Sequence, residues 1–165
     1  MRKFKWVIIL INLVLLLAFF TYSVVQKEAL LTNGKLILLE LAPVDPRSLM
    51  QGDYMNLRYE LSNELSDEVD ADSISKRGYC VVRLDSAGIA RPVRLQSTKT
   101  PLTGEEMLIR YTKGNRRLNI GAESFFFEEG QSEKYEKAKY GGVKVDPEGN
   151  SLLIGLFDEQ KKQIN

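Results

Sequence analysis

"YCVVRLDSAGIARPVRLQ", Tyr79 to Gln96, carries two runs of alternating apolar and polar residues on either side of a turn around Asp85–Gly88. A period of two is the signature of a half-buried strand. Two strands joined by so few residues can only pair antiparallel, because a parallel pair needs a crossover of a dozen residues or more. Cys80 falls inside the first strand and reads as a small buried hydrophobe rather than a nucleophile.

Downstream the pattern repeats. "EMLIRYTKGNRRLNIG" is a second hairpin with "KGN" as its turn, and "SFFFEEG" is a short aromatic strand ending at Gly130. "SEKYEKAKY" predicts the one short helix, with Ser132 as its cap. "GVKVDPEGNSLLIGLF" closes a third hairpin about "DPEGN", and the tail "DEQKKQIN" is expected to fray.

Upstream lies "LSDEVDADSISKR", polar, acidic and without a β period, which reads as a solvated loop or short helix. Its carboxylates Asp67, Glu68, Asp70 and Asp72 do not make a calcium loop, since the central glycine and the terminal glutamate are missing. "MQGDYMNLRYELS", Met50 to Ser62, places Asp53, Met55, Leu57, Tyr59 and Leu61 on one face of a strand. Tyr54, Asn56, Arg58 and Glu60 fall on the other. One of the two tyrosines is therefore core and the other surface, and Arg58 and Glu60 can pair across the outer face. "DPRSLM" before it suits a helical turn capped by Asp45, and "GKLILLELAPV" puts Leu36, Leu38 and Leu41 in a buried strand, with Ile37 and Leu39 on the face opposite Leu36 and Leu38. The sum predicts a mainly β protein, a compact antiparallel barrel or sandwich with one short helix.

The first residues obey another rule. From Trp6 to Val25 twenty residues pass without a charge, enough helix to cross the roughly 30 Å hydrocarbon core of a bilayer. Trp6 and Tyr22 sit near its ends, where aromatic rings favour the interface. The apolar run exceeds that of a cleaved leader and lacks a good small-x-small site, so it reads as a signal anchor. Arg2, Lys3 and Lys5 precede it, which predicts a cytoplasmic N-terminus and an extracytoplasmic remainder, periplasmic where the cell has two membranes. The expected organisation is an anchor over residues 1–27, a short linker over 28–35, a β domain over 36–157 and a flexible tail over 158–165.

Composition removes several chemistries. With 23 basic and 22 acidic residues the net charge is +1, so no nucleic-acid partner is expected. The absence of histidine excludes Ser-His-Asp and Cys-His catalysis and the commonest zinc ligand, and a single cysteine excludes an internal disulfide. No cofactor and no metal are called for. One enzymatic route needs no histidine, a serine with a desolvated lysine as base, and Ser48 with Lys76 is the candidate pair. It resembles the signal peptidase pattern only loosely, because just Leu49, Met50 and Gln51 separate Ser48 from Gly52. In "GAESFFFEEGQSEKYEKA" the acids Glu123 and Glu129, if turned inward, would meet Arg47, Arg58 or Arg110; a solvated edge is the plainer reading.

Gly52-Asp53-Tyr54, Leu57 and Tyr59 match the spacing of the GDYXXLXY family of bacterial membrane-anchored proteins. Asp45-Pro46-Arg47 ahead of the motif, "FFFEEG" with Glu136 beyond it, and "VKVDPEGNSLLIGL" resemble further blocks of that family in order, from about Leu36 to Leu156. Ala122 and Phe127 depart from its usual residues. The resemblance implies a membrane-anchored domain, often beside multi-spanning proteins, with no established enzymatic activity. The expected function is thus a binding or interaction module accessory to a membrane partner, with the serine–lysine hydrolase as the alternative. Asp45, Arg47, Asp53, Tyr54, Tyr59, Glu60, Glu129 and Glu136 form the expected functional surface.

Overall fold

The computed structural model of the chain describes residues 2–42, 54–63, 74–114, 117–128 and 130–164. A helix, α1 (Arg2–Asn33), leads into a β region with nine strands among the described residues. β1 (Lys35–Glu40), β8 (Tyr140–Val145) and β9 (Ser151–Phe157) form one antiparallel sheet in the order β1-β8-β9. β3 (Arg77–Leu84), β4 (Ala90–Gln96), β5 (Glu106–Lys113) and β6 (Leu118–Asn119) form a second in the order β4-β3-β5-β6. β2 (Tyr54–Asn56) pairs with β7 (Ser124–Phe126) as a two-stranded ribbon. Among the described residues no sheet closes into a barrel. The short helix, α2 (Ser132–Tyr135), starts one residue earlier than its expected cap allows, which makes Gln131 the N-cap, without a capping side chain.

The β3–β4 hairpin forms where the alternation places it. Asp85 Oδ1 accepts the N–H groups of Ala87 at 2.8 Å and Ile89 at 3.0 Å. The bond from Ile89 is the main reason its carboxyl sits below the usual carboxylate range. Pro92 cannot donate to a ladder, and it lies on the sheet-edge strand β4 beside the register shift at Val81/Val82. The other two hairpins also form, and Asp146 binds both the N–H and the side-chain amide of Asn150 to close the last one.

One core fills the space between the sheets. Ile37 and Leu39 of β1, Cys80 and Val82 of β3, Ile109 and Tyr111 of β5, and Val143 and Val145 of β8 all enter it. Burial pushes the Cys80 thiol up to about 12, so it remains a neutral hydrophobe. Of the two apolar faces of β1, the one that carries Leu36 and Leu38 is the lesser, while Leu41 packs with Ile37 and Leu39 against the main core. Leu36 is 42% exposed, and Leu38 joins a smaller cluster with Ile89, Tyr140 and Phe157 on the reverse of the sheet. A leucine-rich strand offers apolar side chains to both faces, and only the second sheet, whose Cys80, Val82, Ile109 and Tyr111 share the core with Ile37 and Leu39, selects which one is central.

Two expected boundaries are corrected. The segment 28–35, read as a linker, is helical through Asn33, and β1 follows after the single residue Gly34. Leu30 is buried against the domain, and a Cβ on Gly34 would lie 2.4 Å from the Leu30 carbonyl oxygen and 3.2 Å from Lys144 Cβ. Helix and sheet thus meet at a joint with no room for a side chain. The tail does not fray. Residues 158–164 turn back on β9, with Lys162 N–H on Asp158, Ile164 N–H on the Leu156 carbonyl and the Ile164 side chain against the core.

One paired carboxylate is nearly closed to solvent, although its arginine partner is not. The Glu106 side chain is 2% exposed and takes a bidentate contact from Arg94 at 2.8 and 2.9 Å, together with the Thr103 N–H. The Arg94 bond is the main cause that lowers its carboxyl to about 2. A folded-state value below the unfolded 4.5 stabilises the native state above about 4.5, and that contribution is lost as pH falls toward 2. Acid titration followed by circular dichroism should show unfolding steepening over this window, and Glu106→Gln should flatten that limb.

Candidate functional site

The motif strand divides its residues by depth. Met55, Leu57, Tyr59 and Leu61 are buried, whereas Asn56 and Arg58 are exposed and Tyr54 and Glu60 half-buried. The alternation expected from sequence holds through Tyr59, although the ladder itself covers only Tyr54–Asn56 and residues 60–63 make a helical turn. Tyr59 is 1% exposed, and its hydroxyl donates to the Ala122 carbonyl at 2.5 Å. Burial, followed by the neighbouring Glu123 carboxylate, pushes its phenol far above the ordinary range, so it stays a proton donor. Leu57 donates its N–H to the Glu123 carbonyl at 2.6 Å.

Glu123 does not turn inward to an arginine. Its Oε1 accepts the N–H groups of Ile120 and Gly121, closing the bend that carries Ala122 under Tyr59. Arg110 instead lies over the Tyr79 ring, 5.9 Å from its centroid. Two bonds, Leu57 N–H to the Glu123 carbonyl and the Tyr59 hydroxyl to the Ala122 carbonyl, therefore lock the motif strand to the segment before β7, whose bend the Glu123 side chain closes. The aromatic run beyond has a similar division, with Phe125 and Phe127 packed on Tyr135 and Phe126 turned outward against Tyr54.

Outside this lock lies a polar cavity of about 730 Å³, between the β2–β7 ribbon and the β5–β6 turn. Asn56, Arg117, Asn119 and Ser124 line it, and Leu57 and Glu123 form its floor. A smaller recess shares Leu57, Arg117 and Glu123 with it and adds Arg58 and Asn63. Among the described residues neither Arg58 nor Arg117 has an ion-pair partner. Arg58 and Glu60 do not pair; Glu60 accepts from Asn63 at 3.4 Å. Arg117 is the one guanidinium in the open cavity's lining, and Arg58 joins it only in the smaller recess; two cations without ion-pair partners at adjoining openings suit an anionic ligand group.

Of the residues expected at the surface, Tyr59 is core and Tyr54 lies on the opposite side of the same strand, so the two cannot face one ligand. Glu136 is exposed at the C-cap of α2. Asp45, Arg47, Ser48, Gly52, Asp53 and Glu129 lie outside the described residues, as do Asp67, Glu68, Asp70 and Asp72. Lys76 is exposed, and its carbonyl accepts the Lys113 N–H. No group of three acids or cysteines suited to a metal ion occurs among the described residues. Arg117 and Asn119 were not singled out from sequence, and their only signal was a charged run, "KGNRRLN", at a hairpin turn.

The family model described as GDYXXLXY protein matches residues 16–156. No curated protein matches the chain, and no solved structure does either.

Proposed function

This chain belongs to the GDYXXLXY protein family, and from that premise we propose that it is a membrane-tethered, non-catalytic binding module. α1 is long and apolar enough to cross a bilayer over Phe4–Asn33. In this reading Arg2, Lys3 and Lys5 keep the N-terminus cytoplasmic, and the β domain stands outside the cytoplasm, in the periplasm of a cell with two membranes. The apolar surface of α1 makes no contact with the β domain along its first turns, and a multi-spanning membrane protein is the partner that would cover it.

The observation that carries the binding reading is the pairing of an open cavity, lined by Arg117, with an adjoining recess that Arg117 shares with Arg58, neither arginine having a carboxylate partner among the described residues. Leu57 and Tyr59 are spent on the fold, so the exposed alternation positions supply the ligand-facing groups. The serine–lysine alternative gains nothing from Lys76, whose exposed side chain lacks the desolvation a lysine base needs.

Arg58→Glu combined with Arg117→Glu should leave the melting temperature nearly unchanged, because both side chains are exposed. Affinity capture from detergent-solubilised membranes should then lose, by about tenfold or more, whatever the wild-type chain retains through this face. Identical capture by both proteins would exclude the cavity as the binding surface. A C-terminal reporter active only in the cytoplasm would overturn the orientation.

A further inference from the structure

The register of the first sheet brings a turn back alongside α1. Lys35, the first residue of β1, pairs with Val145, the last residue of β8, so the Asp146–Asn150 turn projects past the start of β1. There it runs beside the last turns of α1, which touches both β8 and β9. Between helix and turn lies a cavity of about 550 Å³ whose wall reaches down the helix to Ser23 and Gln26. In the membrane-tethered reading, on which this inference rests, Ser23–Lys27 straddles the end of the uncharged stretch Trp6–Val25 and lies at the depth of the lipid headgroups.

The charges on the two walls differ. Lys27 projects from α1 and Glu148 from the turn, and they make no ion pair with each other or with any other described residue, while the second acid of the lining, Asp146, is engaged by the N–H and side-chain amide of Asn150. Asn33 and Asn150 add neutral hydrogen-bonding groups between them, and no aromatic side chain lines the cavity. A separated cation and anion complement a zwitterion. Quaternary ammonium groups are held by aromatic cages, so their absence favours an ammonium that donates hydrogen bonds. The volume lies within the range of small-ligand sites.

We propose that this cavity seats a phospholipid headgroup of the phosphoethanolamine class, with Lys27 on the phosphate and Glu148 on the primary ammonium. A bound lipid would then set the height and tilt of the β domain, because the Gly34 joint transmits the position of the helix end directly to β1.

The test uses the full chain in phosphatidylglycerol nanodiscs doped with phosphatidylethanolamine or phosphatidylcholine, with retained lipid read by native mass spectrometry. The expected result is preferential retention of phosphatidylethanolamine by about fivefold, abolished by Glu148→Lys and by Lys27→Glu with unchanged melting temperatures. Equal retention of all three lipids, or a preference untouched by both variants, overturns the proposal. Equally tight binding of water-soluble glycerophosphoethanolamine would assign the cavity to a soluble ligand and overturn the lipid assignment. Failure of the chain to enter nanodiscs at all would instead refute the membrane tether, and is read separately from headgroup preference.

Discussion

Replacing Tyr59 with alanine should cost about 3–5 kcal/mol, the ordinary penalty for emptying a fully buried aromatic site, and lower Tm by roughly 10–15 °C. The ring packs against Gly141, where an added Cβ would come within 2.9 Å of it, and within the core that also holds Met55, Leu57 and Leu61. Tyr59→Phe isolates the hydroxyl. It leaves the Ala122 carbonyl without its 2.5 Å donor, and a buried acceptor so stranded costs about 1–3 kcal/mol. The phenylalanine variant also has an alkaline signature. Tyr59 is raised above the ordinary 10.0 by burial, so its contribution is complete below about 10 and is lost as pH climbs beyond that value. Denaturant titrations at pH 8 and pH 11 should show a smaller difference in Tyr59→Phe than in the wild type. Equal stability of wild type and Tyr59→Phe at pH 8 would show that the hydroxyl does not anchor the motif.

Gly142→Ala should destabilise the β domain by about 1–3 kcal/mol, the usual cost of overpacking. A Cβ there would lie 2.2 Å from Phe157 Cε2 and 2.9 Å from Cδ2, so the ring has to leave its place beside Leu38, Ile89 and Tyr140. The effect should reach the C-terminal turn as well, since Phe157 bridges to Gln163. Gly142→Ala/Phe157→Leu should recover part of the loss, because the shorter side chain vacates the clash. Chemical denaturation of the three proteins checks this, and a Gly142→Ala chain as stable as wild type would contradict the packing described here.

The pair Gly141-Gly142 shows where sequence reading stopped. On one sheet face Gly141 admits the Tyr59 ring, and on the other Gly142 admits Phe157. The first is matched to an aromatic residue far away in the chain and the second to one across its own hairpin, and no period of apolar and polar residues announces either match. The hairpin turns at Asp85 and Asp146, by contrast, were legible because their carboxylates bind N–H groups only two to four residues onward. The candidate site divides in the same way. Alternation separated Leu57 and Tyr59 from Asn56 and Arg58, and the structure puts the first pair inside and the second outside. It did not bring Arg117 beside Arg58, because that meeting depends on how the β5–β6 turn lies against the β2–β7 ribbon.

Sequence alone determined the elements whose cause is local, namely an uncharged helix of membrane length, strands of period two, and turns closed by their own aspartates. Tertiary structure decided which face of β1 became central, that the helix runs unbroken to Asn33 and meets the sheet at Gly34, and that residues 158–164 fold back. Each of these rests on contacts between segments distant in sequence or on a close approach of backbone to backbone. A pattern of apolar and polar residues records which side chains avoid water, and it carries no record of which partners they find.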